Sequence, residues 1–326
     1  MTEADSKIPE RDYRAVLDRF DAAVAGMLFD PRIINEPRWS AFRDEFGKAA
    51  LQAQTDREFL AAFVNAKEEQ PLFSHFELRL QNETVDEMKI NADEAAFENT
   101  VAQYERLQED VGYIRIRSFF GEAIIDQIND SMEKAIASGV PSLIVDLRGN
   151  PGGTFAAWPV FSRLAIDPMP VGHLVASRWY VDHDTSPSTD DIEKAIPLSI
   201  PDGKALAADL MDDGLLVLSV EPQRPVFTGD VYVLIDSKSE STSEIVAGGL
   251  QFSGRAKIVG ARSAGKVLNA EQISLAKGVF FLLPIADFFL PDGTRLEGRG
   301  VMPDYPVGEG DALKCAIRLA SGKVEC

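Results

Sequence analysis

The sequence predicts an α/β fold preceded by a helical region. Apolar residues recur at helical spacing before Val111, strand-like alternation begins there, and strands and helices then follow one another in turn. The 326 residues have room for one large domain or two smaller ones. We therefore expect a helical domain over residues 1–108, an α/β core over residues 109–310 and a C-terminal tail over residues 311–326.

Three helices are expected in the N-terminal region. The third opens at Thr55 and Glu58, whose spacing is that of a capping box. The first two carry apolar residues on one face. These residues are Tyr13, Val16, Leu17, Phe20 and Val24 in the first helix, and Trp39, Phe42 and Phe46 in the second.

The α/β core begins with a strand, an amphipathic helix and a second strand. Ile114 and Ile116 alternate with arginines, which indicates a half-buried strand. Residues 142–147 are apolar on both faces, as in a parallel strand covered by helices. Between these strands, Gly139 ends a helix with one apolar stripe. The stripe comprises Ile124, Ile125, Ile128, Met132 and Ile136.

The same order of elements recurs further along the core. Residues 231–236 and 257–260 are expected to form strands on either side of a helix. Residues 167–226 are rich in proline and aspartate, and we expect them to form an irregular insertion that acts as a lid. The segment Gly278–Val307 has the pattern of a β-hairpin that turns at Pro291-Asp-Gly293.

The net charge of the chain excludes some classes of binding partner. Acidic residues outnumber basic ones 52 to 33, which gives a formal net charge of −19. Such a surface repels phosphate backbones and anionic lipids, so we expect no nucleic-acid partner. No apolar run reaches the roughly 18 residues of a membrane span. No glycine loop has the spacing of a nucleotide site, and no group of side chains has metal-ligand spacing, so no cofactor or metal is expected.

The two cysteines bear on the compartment. Cys315 and Cys326 flank Ser321-Gly322, and a hairpin turning there would bring the two sulfurs within bonding reach. A disulfide would favour an oxidising compartment; the alternative is a half-buried Cys315 and a free terminal thiol. The N-terminal sequence has no apolar signal region. If such a segment has been removed, the expected location is periplasmic or secreted, and the cytoplasm is the alternative.

Two strand-to-helix turns carry candidate chemistry. Ser241 opens a helix with Glu244 three positions later, which is the pattern of a capping box. The same geometry presents a serine hydroxyl where free helix N–H groups stabilise an oxyanion. The second turn, Asp146–Gly153, is rich in glycine. It is either a tight turn or a loop whose Gly153 N–H points at a developing negative charge.

Two further side chains are candidate bases. Lys266 follows a short strand, and as an exposed lysine it would have no special role. If it is buried, it loses its charge readily and becomes a general base. His75 lies between apolar residues and is either a core histidine or a base. His173 and His183 lie in the polar insertion, and we expect both to be solvated.

In combination these segments resemble the S41 serine peptidases, the family of C-terminal processing (tail-specific) proteases. Residues 239–248, Ser-Glu-Ser-Thr-Ser-Glu-Ile-Val-Ala-Gly, are similar to the family's Ser-Ala-Ser-Ala-Ser-Glu-Ile-Val-Ala-Gly. Residues 259–266 resemble Val-Gly-x-x-Thr-x-Gly-Lys, and Asp146–Gly153 resembles Asp-Leu-Arg-x-Asn-x-Gly-Gly. Residues 290–294 and 300–304 resemble the family's Thr-Pro-Asp-Gly and Gly-Val-x-Pro-Asp.

The resemblance implies a ClpP/crotonase-like core with an N-terminal helical bundle. It also implies roles for individual residues. Ser241 would be the nucleophile and Lys266 its general base, with Glu244 positioning the lysine. The backbone N–H groups of Gly153 and Thr242 would form the oxyanion hole. The reaction would be endopeptidase cleavage of extended or unfolded peptide segments through an acyl-enzyme.

Three departures from the family pattern matter. The family often has Gln four residues after the lysine, where this chain has Ala270; Gln272 is the alternative source of that hydrogen bond. About 35 residues separate His75 from the strand at Val111, too few for a PDZ domain, which favours the PDZ-less subgroup. Phe-Ser-His75-Phe resembles a segment of PDZ-less relatives, some of which use a histidine as the base.

Two other functions compete with peptidase activity. A catalytically silent relative would bind an apolar ligand or a peptide; the absence of Gln at residue 270 favours it, and the joint presence of Ser241, Lys266 and Gly153 disfavours it. An acyl hydrolase or crotonase-type enzyme is less well supported, because the nucleophile segment is not Gly-x-Ser-x-Gly. The oligomeric state has no signature in the sequence.

Overall fold

The computed structural model describes residues 11–81, 101–107, 110–121, 123–199, 210, 212–308, 310–323 and 326. These residues fall into two compact units. The first contains the described residues up to 81 together with Asn269–Ala286, and the second contains the others. The predicted boundary lies at residue 108, and the sequence did not indicate that Asn269–Ala286 would join the N-terminal helices.

The helices and strands are numbered in chain order. The helices are α1 Tyr13–Met27, α2 Pro37–Ala50, α3 Asp56–Glu69, α4 Ala123–Ala137, α5 Trp158–Leu164, α6 Trp179–Asp182, α7 Thr189–Lys194, α8 Thr242–Phe252 and α9 Ala312–Ala320. The strands are β1 Glu77–Leu80, β2 Ala102–Arg106, β3 Val111–Ile116, β4 Ser142–Asp146, β5 Met169–Ala176, β6 Leu198–Ser199, β7 Leu215–Val220, β8 Asp230–Ile235, β9 Lys257–Gly260, β10 Asn269–Ala276, β11 Val279–Phe289 and β12 Tyr305–Pro306. In the described ranges, no helix has both the length and the apolarity needed to cross a bilayer.

The first unit contains the three predicted helices. Thr55 caps α3, because its Oγ1 accepts the N–H of Glu58 at 3.2 Å. In the same unit β11 pairs antiparallel with β1 and with β10. Aromatic rings fill its core, and the centroids of Phe20 and Phe281 lie 4.6 Å apart. The other fully buried rings of this cluster are Phe42, Phe46, Phe59, Phe63 and Phe76.

The second unit is built on a six-stranded sheet in the order β12-β9-β8-β4-β3-β2. All neighbouring pairs are parallel except β2 and β3, which are antiparallel. All five residues of β4 are buried, as the apolar run predicted. Gly139 follows α4 with φ of +65°, a conformation that ends the helix at little cost for glycine. The α/β fold class is confirmed.

The C-terminal segment differs from the expected tail. Its helix α9 is amphipathic, and its apolar side packs into the core of the second unit. The buried contacts comprise Ala312, Cys315, Ala316 and Leu319 with Val111, Ile144, Leu234 and Val259. Cys315 is disulfide-bonded to Cys326, with Cα atoms 4.7 Å apart. The expected hairpin around Ser321-Gly322 is wrong, because a helix leads into that turn.

The expected irregular insertion is wrong for two of its segments. β5 and β7 are buried strands that pair antiparallel. Pro170 lies at a register shift of this pair, the kind of irregularity at which a strand tolerates proline. Only short elements, α6, α7 and β6, lie between residues 177 and 199. The high proline and aspartate content is typical of this intervening part. It concealed the two buried strands on either side from a prediction based on composition.

The expected hairpin after Gly278 is present only as a turn. The N–H of Gly293 donates to the carbonyl of Leu290 at 2.9 Å, so the chain does reverse at Pro291–Gly293. Beyond the turn, Phe289 and Arg295 form an isolated bridge without a continuing second strand. Within the first unit β1 and β10 pair with the two edges of β11 over Val279–Leu282, so no edge is left there for a second strand of a hairpin.

Candidate active site

Ser241 lies in a strained turn between β8 and α8. Its φ of +54° and ψ of −121° place a non-glycine residue in a sparsely populated region, which costs roughly 1–3 kcal/mol. The Ser241 N–H compensates by donating to the carbonyl of Lys266 at 2.9 Å and to Oε2 of Glu244 at 3.1 Å. The surrounding structure therefore imposes this conformation, as it does at many reactive side chains.

Two glycines of the loop beside this serine lie closer to neighbouring atoms than any other residue could. A Cβ on Gly152 would lie 2.7 Å from the Cβ of Ser241. A Cβ on Gly153, where φ is +148°, would lie 2.2 Å from the carbonyl carbon of Phe119. The hydroxyl of Thr242 donates to the carbonyl of Gly153 at 2.9 Å, which ties the start of α8 to the glycine loop.

Asn150 organises the glycine loop from beneath. The residue is fully buried, its Nδ2 donates to the carbonyl of Ile116 at 3.0 Å, and its Oδ1 accepts the N–H of Gly152 at 2.8 Å. Its own carbonyl accepts the N–H of Glu240 and the hydroxyl of Ser243. In the sequence this asparagine is only one residue of a motif. Its burial and its hydrogen bonds show that it holds both turns together.

Asp146, at the end of β4, anchors the same loop. Burial by itself would raise the pKa of this carboxyl. The Arg148 guanidinium at 2.6 Å and the Tyr113 hydroxyl at 2.7 Å nevertheless hold the pKa below its usual range. Burial beside this carboxylate raises the pKa of Tyr113 to about 12. The aspartate is therefore a charged structural anchor at neutral pH.

Two backbone donors next to the nucleophile are unused. Within the described ranges, the N–H groups of Gly153 and Thr242 donate to no protein acceptor. Thr242 is the first residue of α8, where N–H groups have no partner inside the helix. Such donors at the positive end of a helix can stabilise an oxygen that becomes negative during a reaction.

Glu244 joins the serine segment to the lysine segment. It is fully buried, and its Oε1 accepts from the Ser263 hydroxyl at 2.6 Å and from the Gly265 N–H at 2.7 Å. Its Oε2 accepts the backbone N–H of Lys266 at 2.8 Å, in addition to that of Ser241. Burial raises the pKa of this carboxyl, although its hydrogen bonds act in the opposite direction.

Of the two alternatives for Lys266, an exposed or a buried side chain, the structure shows the half-exposed one. Its side chain is 51% exposed, and its Nζ donates to Oε1 of Glu240 at 2.8 Å. Among the described residues, no hydrogen bond joins this Nζ to the Oγ of Ser241. The lysine is held beside the serine through its backbone, while its amine bonds to the residue before the nucleophile.

The remaining candidates lie in the first unit. His75 has φ of +52°, and its Nδ1 lies 2.9 Å from the hydroxyl of Ser74. Ala270 and Gln272 lie on β10, in the same unit. The second unit alone brings together Ser241, Glu244, Lys266, Gly153 and Thr242. A base role for His75 and a supporting role for Gln272 stay predictions.

The expectation that His173 is solvated is wrong. His173 lies on β5, is buried, and stacks on Phe289 with ring centroids 5.3 Å apart. Burial lowers the pKa of this histidine to about 4, so it is neutral at physiological pH. His183 is exposed as expected, although its ring stacks on Trp179.

Asp287, on β11, is expected to make stability depend on pH. Burial raises its pKa to about 6, and the Arg295 ion pair opposes that rise only in part. Because the pKa is higher in the folded than in the unfolded state, this group stabilises the protein most below pH ~4 and loses that contribution as pH rises through ~6. The change is about 3 kcal/mol. Chemical denaturation of wild type and Asp287→Asn between pH 4 and 8 should show a difference that grows with pH in favour of the variant; a constant difference would contradict it.

The fold has the architecture of known proteases. The chain is similar to a solved structure of a photosystem II D1 C-terminal processing protease, with a TM-score of 0.62, 13% identity and coverage of 95% of this chain and 98% of that one. It is equally similar to a lipoprotein from Streptococcus agalactiae, with a TM-score of 0.64, 18% identity and coverage of 97% and 98%. The class is therefore an α/β protein with a ClpP-like core.

The sequence comparison identifies the family. The family model Peptidase family S41 matches residues 110–307, more than half of the chain. The chain belongs to peptidase family S41, whose members are serine-type hydrolases.

Among curated relatives, a carboxyl-terminal-processing protease of Picosynechococcus sp. is 26% identical over 231 residues, which cover 70% of this chain and 46% of the relative. A carboxy-terminal-processing protease of Bartonella bacilliformis is 28% identical over 205 residues, which cover 62% and 40%. The chain thus spans less than half the length of these two relatives.

Proposed function

We propose that this protein is a serine endopeptidase that cleaves extended or unfolded peptide segments through an acyl-enzyme. The observation that carries the proposal is the turn at Ser241. A strained serine lies there beside two backbone N–H groups, of Gly153 and Thr242, that have no protein acceptor in the described ranges. Membership of family S41 and the carboxyl-terminal processing relatives support a peptide or protein substrate.

In the first half of the reaction, Lys266 acts as the general base. The neutral amine takes the proton of the Ser241 hydroxyl, and the alkoxide oxygen attacks the carbonyl carbon of the scissile peptide bond. The carbonyl oxygen becomes negative and accepts hydrogen bonds from the N–H groups of Gly153 and Thr242. When the intermediate collapses, the C–N bond breaks and the leaving amine takes the proton from the Lys266 ammonium.

In the second half, water replaces the amine. Lys266 removes a proton from a water molecule, and the resulting hydroxide attacks the ester carbonyl. The ester C–O bond to Ser241 breaks, and the serine oxygen recovers its proton from the lysine. The second peptide fragment leaves with a new carboxyl group, which releases its proton to the solvent and becomes a carboxylate. Glu244 keeps its bonds to both segments throughout and positions them.

The lysine and histidine variants identify the base. We expect Lys266→Ala to reduce cleavage of an unfolded protein by at least about 100-fold, the usual contribution of a general base. We expect His75→Ala to keep cleavage within about threefold. Fragments would be read by mass spectrometry, with circular dichroism showing that both variants are folded. If cleavage is lost in His75→Ala and retained in Lys266→Ala, His75 and not Lys266 is the general base.

The competing hypothesis is that the protein is a catalytically silent relative that binds an apolar ligand or a peptide. A fluorophosphonate that labels Ser241 in wild type but not in Ser241→Ala would support the peptidase. Binding of a peptide without cleavage or labelling would support the silent relative. The proposal also includes a periplasmic or secreted location, in keeping with the disulfide between Cys315 and Cys326.

A further inference from the structure

One charged residue next to the proposed nucleophile has no role in the mechanism above. Glu240 directly precedes Ser241, at a position where the family pattern resembled by this segment has alanine. Its backbone is fixed on one side, because its N–H donates to the carbonyl of Asn150 at 3.0 Å. Its carboxylate accepts from the Nζ of Lys266 at 2.8 Å, and its side chain is 29% exposed.

Several other charged side chains lie on the segments around Lys266. None of those described accepts a hydrogen bond from its amine. Glu244 is occupied by backbone and hydroxyl donors, including the N–H of Lys266 itself. Glu297 accepts the N–H of Val267 at 2.9 Å. Arg262 and Arg299, on the adjoining segments, are exposed cations. Within the described ranges, Glu240 is thus the carboxylate to which the Lys266 amine donates.

An amine held in this way is poorly prepared to act as a base. A general base must lie within hydrogen-bond reach of the proton that it removes, at about 2.6–3.2 Å between heavy atoms. The contact directs the amine towards Glu240 instead of into a hydrogen bond with the Ser241 hydroxyl. The amine must therefore leave Glu240 before it takes the serine proton, and breaking a partly exposed pair of this kind slows the step by a factor of about two to five.

We propose that Glu240 is a positioning residue that holds the Lys266 amine turned from Ser241, and so limits the rate of proton transfer between the two. This inference depends on the proposed function, in which Lys266 is the base. Removing the Glu240 carboxylate should therefore raise kcat without changing KM.

The test compares kcat and KM of wild type, Glu240→Gln and Glu240→Ala. We expect both variants to cleave an unfolded substrate about two- to fivefold faster at pH 7. We expect this increase to appear in kcat, with KM unchanged, because the contact lies between the base and the residue next to the nucleophile. A matched control is Asp130→Asn, which removes the charge from another exposed pair, Lys134 and Asp130 at 2.6 Å on α4. Its kcat and KM should equal those of wild type.

A kcat of Glu240→Gln that equals that of wild type, or that falls below it, would overturn the proposal. A readout that does not require activity separates this failure from failure of the proposed function. Competitive acetylation with acetic anhydride at pH 7, followed by mass spectrometry, measures how accessible the Lys266 amine is to a reagent. We expect labelling of Lys266 to rise about two- to fivefold in Glu240→Gln even if no substrate is cleaved. Unchanged labelling would refute the effect of the contact itself.

Discussion

Replacement of Ser241 by alanine is expected to reduce peptide cleavage by about 1000-fold or more, because the nucleophile is lost while the backbone stays in place. The strained φ of +54° is the same for serine and alanine, so the free energy of unfolding should stay within about 0.5 kcal/mol of wild type. Cleavage would be measured with an unfolded protein substrate and stability by urea denaturation.

Two control variants make this result specific. Ser241→Gly also lacks the nucleophile but relieves the strain, and it should gain about 1 kcal/mol of stability. Ser243→Ala removes a neighbouring buried hydroxyl that donates to Asn150 at 3.1 Å, and it should lose about 1 kcal/mol of stability while continuing to cleave. Cleavage that persists in Ser241→Ala would rule out this serine as the nucleophile.

Replacement of Glu244 by alanine is expected to cost about 3–5 kcal/mol of folding free energy and to abolish activity. The change leaves the Ser263 hydroxyl and the N–H groups of Ser241, Gly265 and Lys266 without their carboxylate acceptor in a buried position. Loss of these bonds also separates the serine segment from the lysine segment. Denaturant unfolding and cleavage assays measure the two effects.

A glutamate in an exposed position serves as the control. Glu58 accepts the N–H of Gln54 at 2.7 Å near the start of α3, and Glu58→Ala should cost less than about 1 kcal/mol. If Glu244→Ala were no more destabilising than Glu58→Ala, Glu244 would not be the structural connection inferred here. Glu244→Gln keeps the shape of the side chain but replaces one acceptor oxygen by an NH2 group, which then faces N–H or O–H donors. Its cost in folding free energy should lie between those of Glu58→Ala and Glu244→Ala.

Local patterns predicted the elements whose stability depends on nearby residues. The apolar spacing of α1, α2 and α4, the cap at Thr55 and the buried run of β4 all depend on residues within a few positions of each other. The motif at residues 239–248 indicated the family, and the family model confirms it. The glycine loop was predictable as well. Gly152 and Gly153 lie so close to neighbouring atoms that no other residue fits there, and this requirement is visible in the sequence as glycine.

Long-range pairing accounts for what the sequence did not reveal. β5 and β7 lie within a proline-rich stretch, and their buried character depends on each other as partners. β10 and β11 join the N-terminal unit although almost 200 residues separate them from β1. His173 stands in a polar context along the chain, yet the stacking of Phe289 encloses it.

The sequence by itself determined the α/β class and the family and named the candidate catalytic residues, because periodicity and motif spacing are local properties of the chain. The tertiary structure alone decided how those residues are disposed. It placed Glu244 beneath both segments as a buried acceptor, left the N–H groups of Gly153 and Thr242 without protein acceptors in the described ranges, and paired the half-exposed Lys266 with Glu240. Burial and hydrogen-bond partners depend on which distant segments meet, and these decide whether a side chain is charged, anchored or free to react.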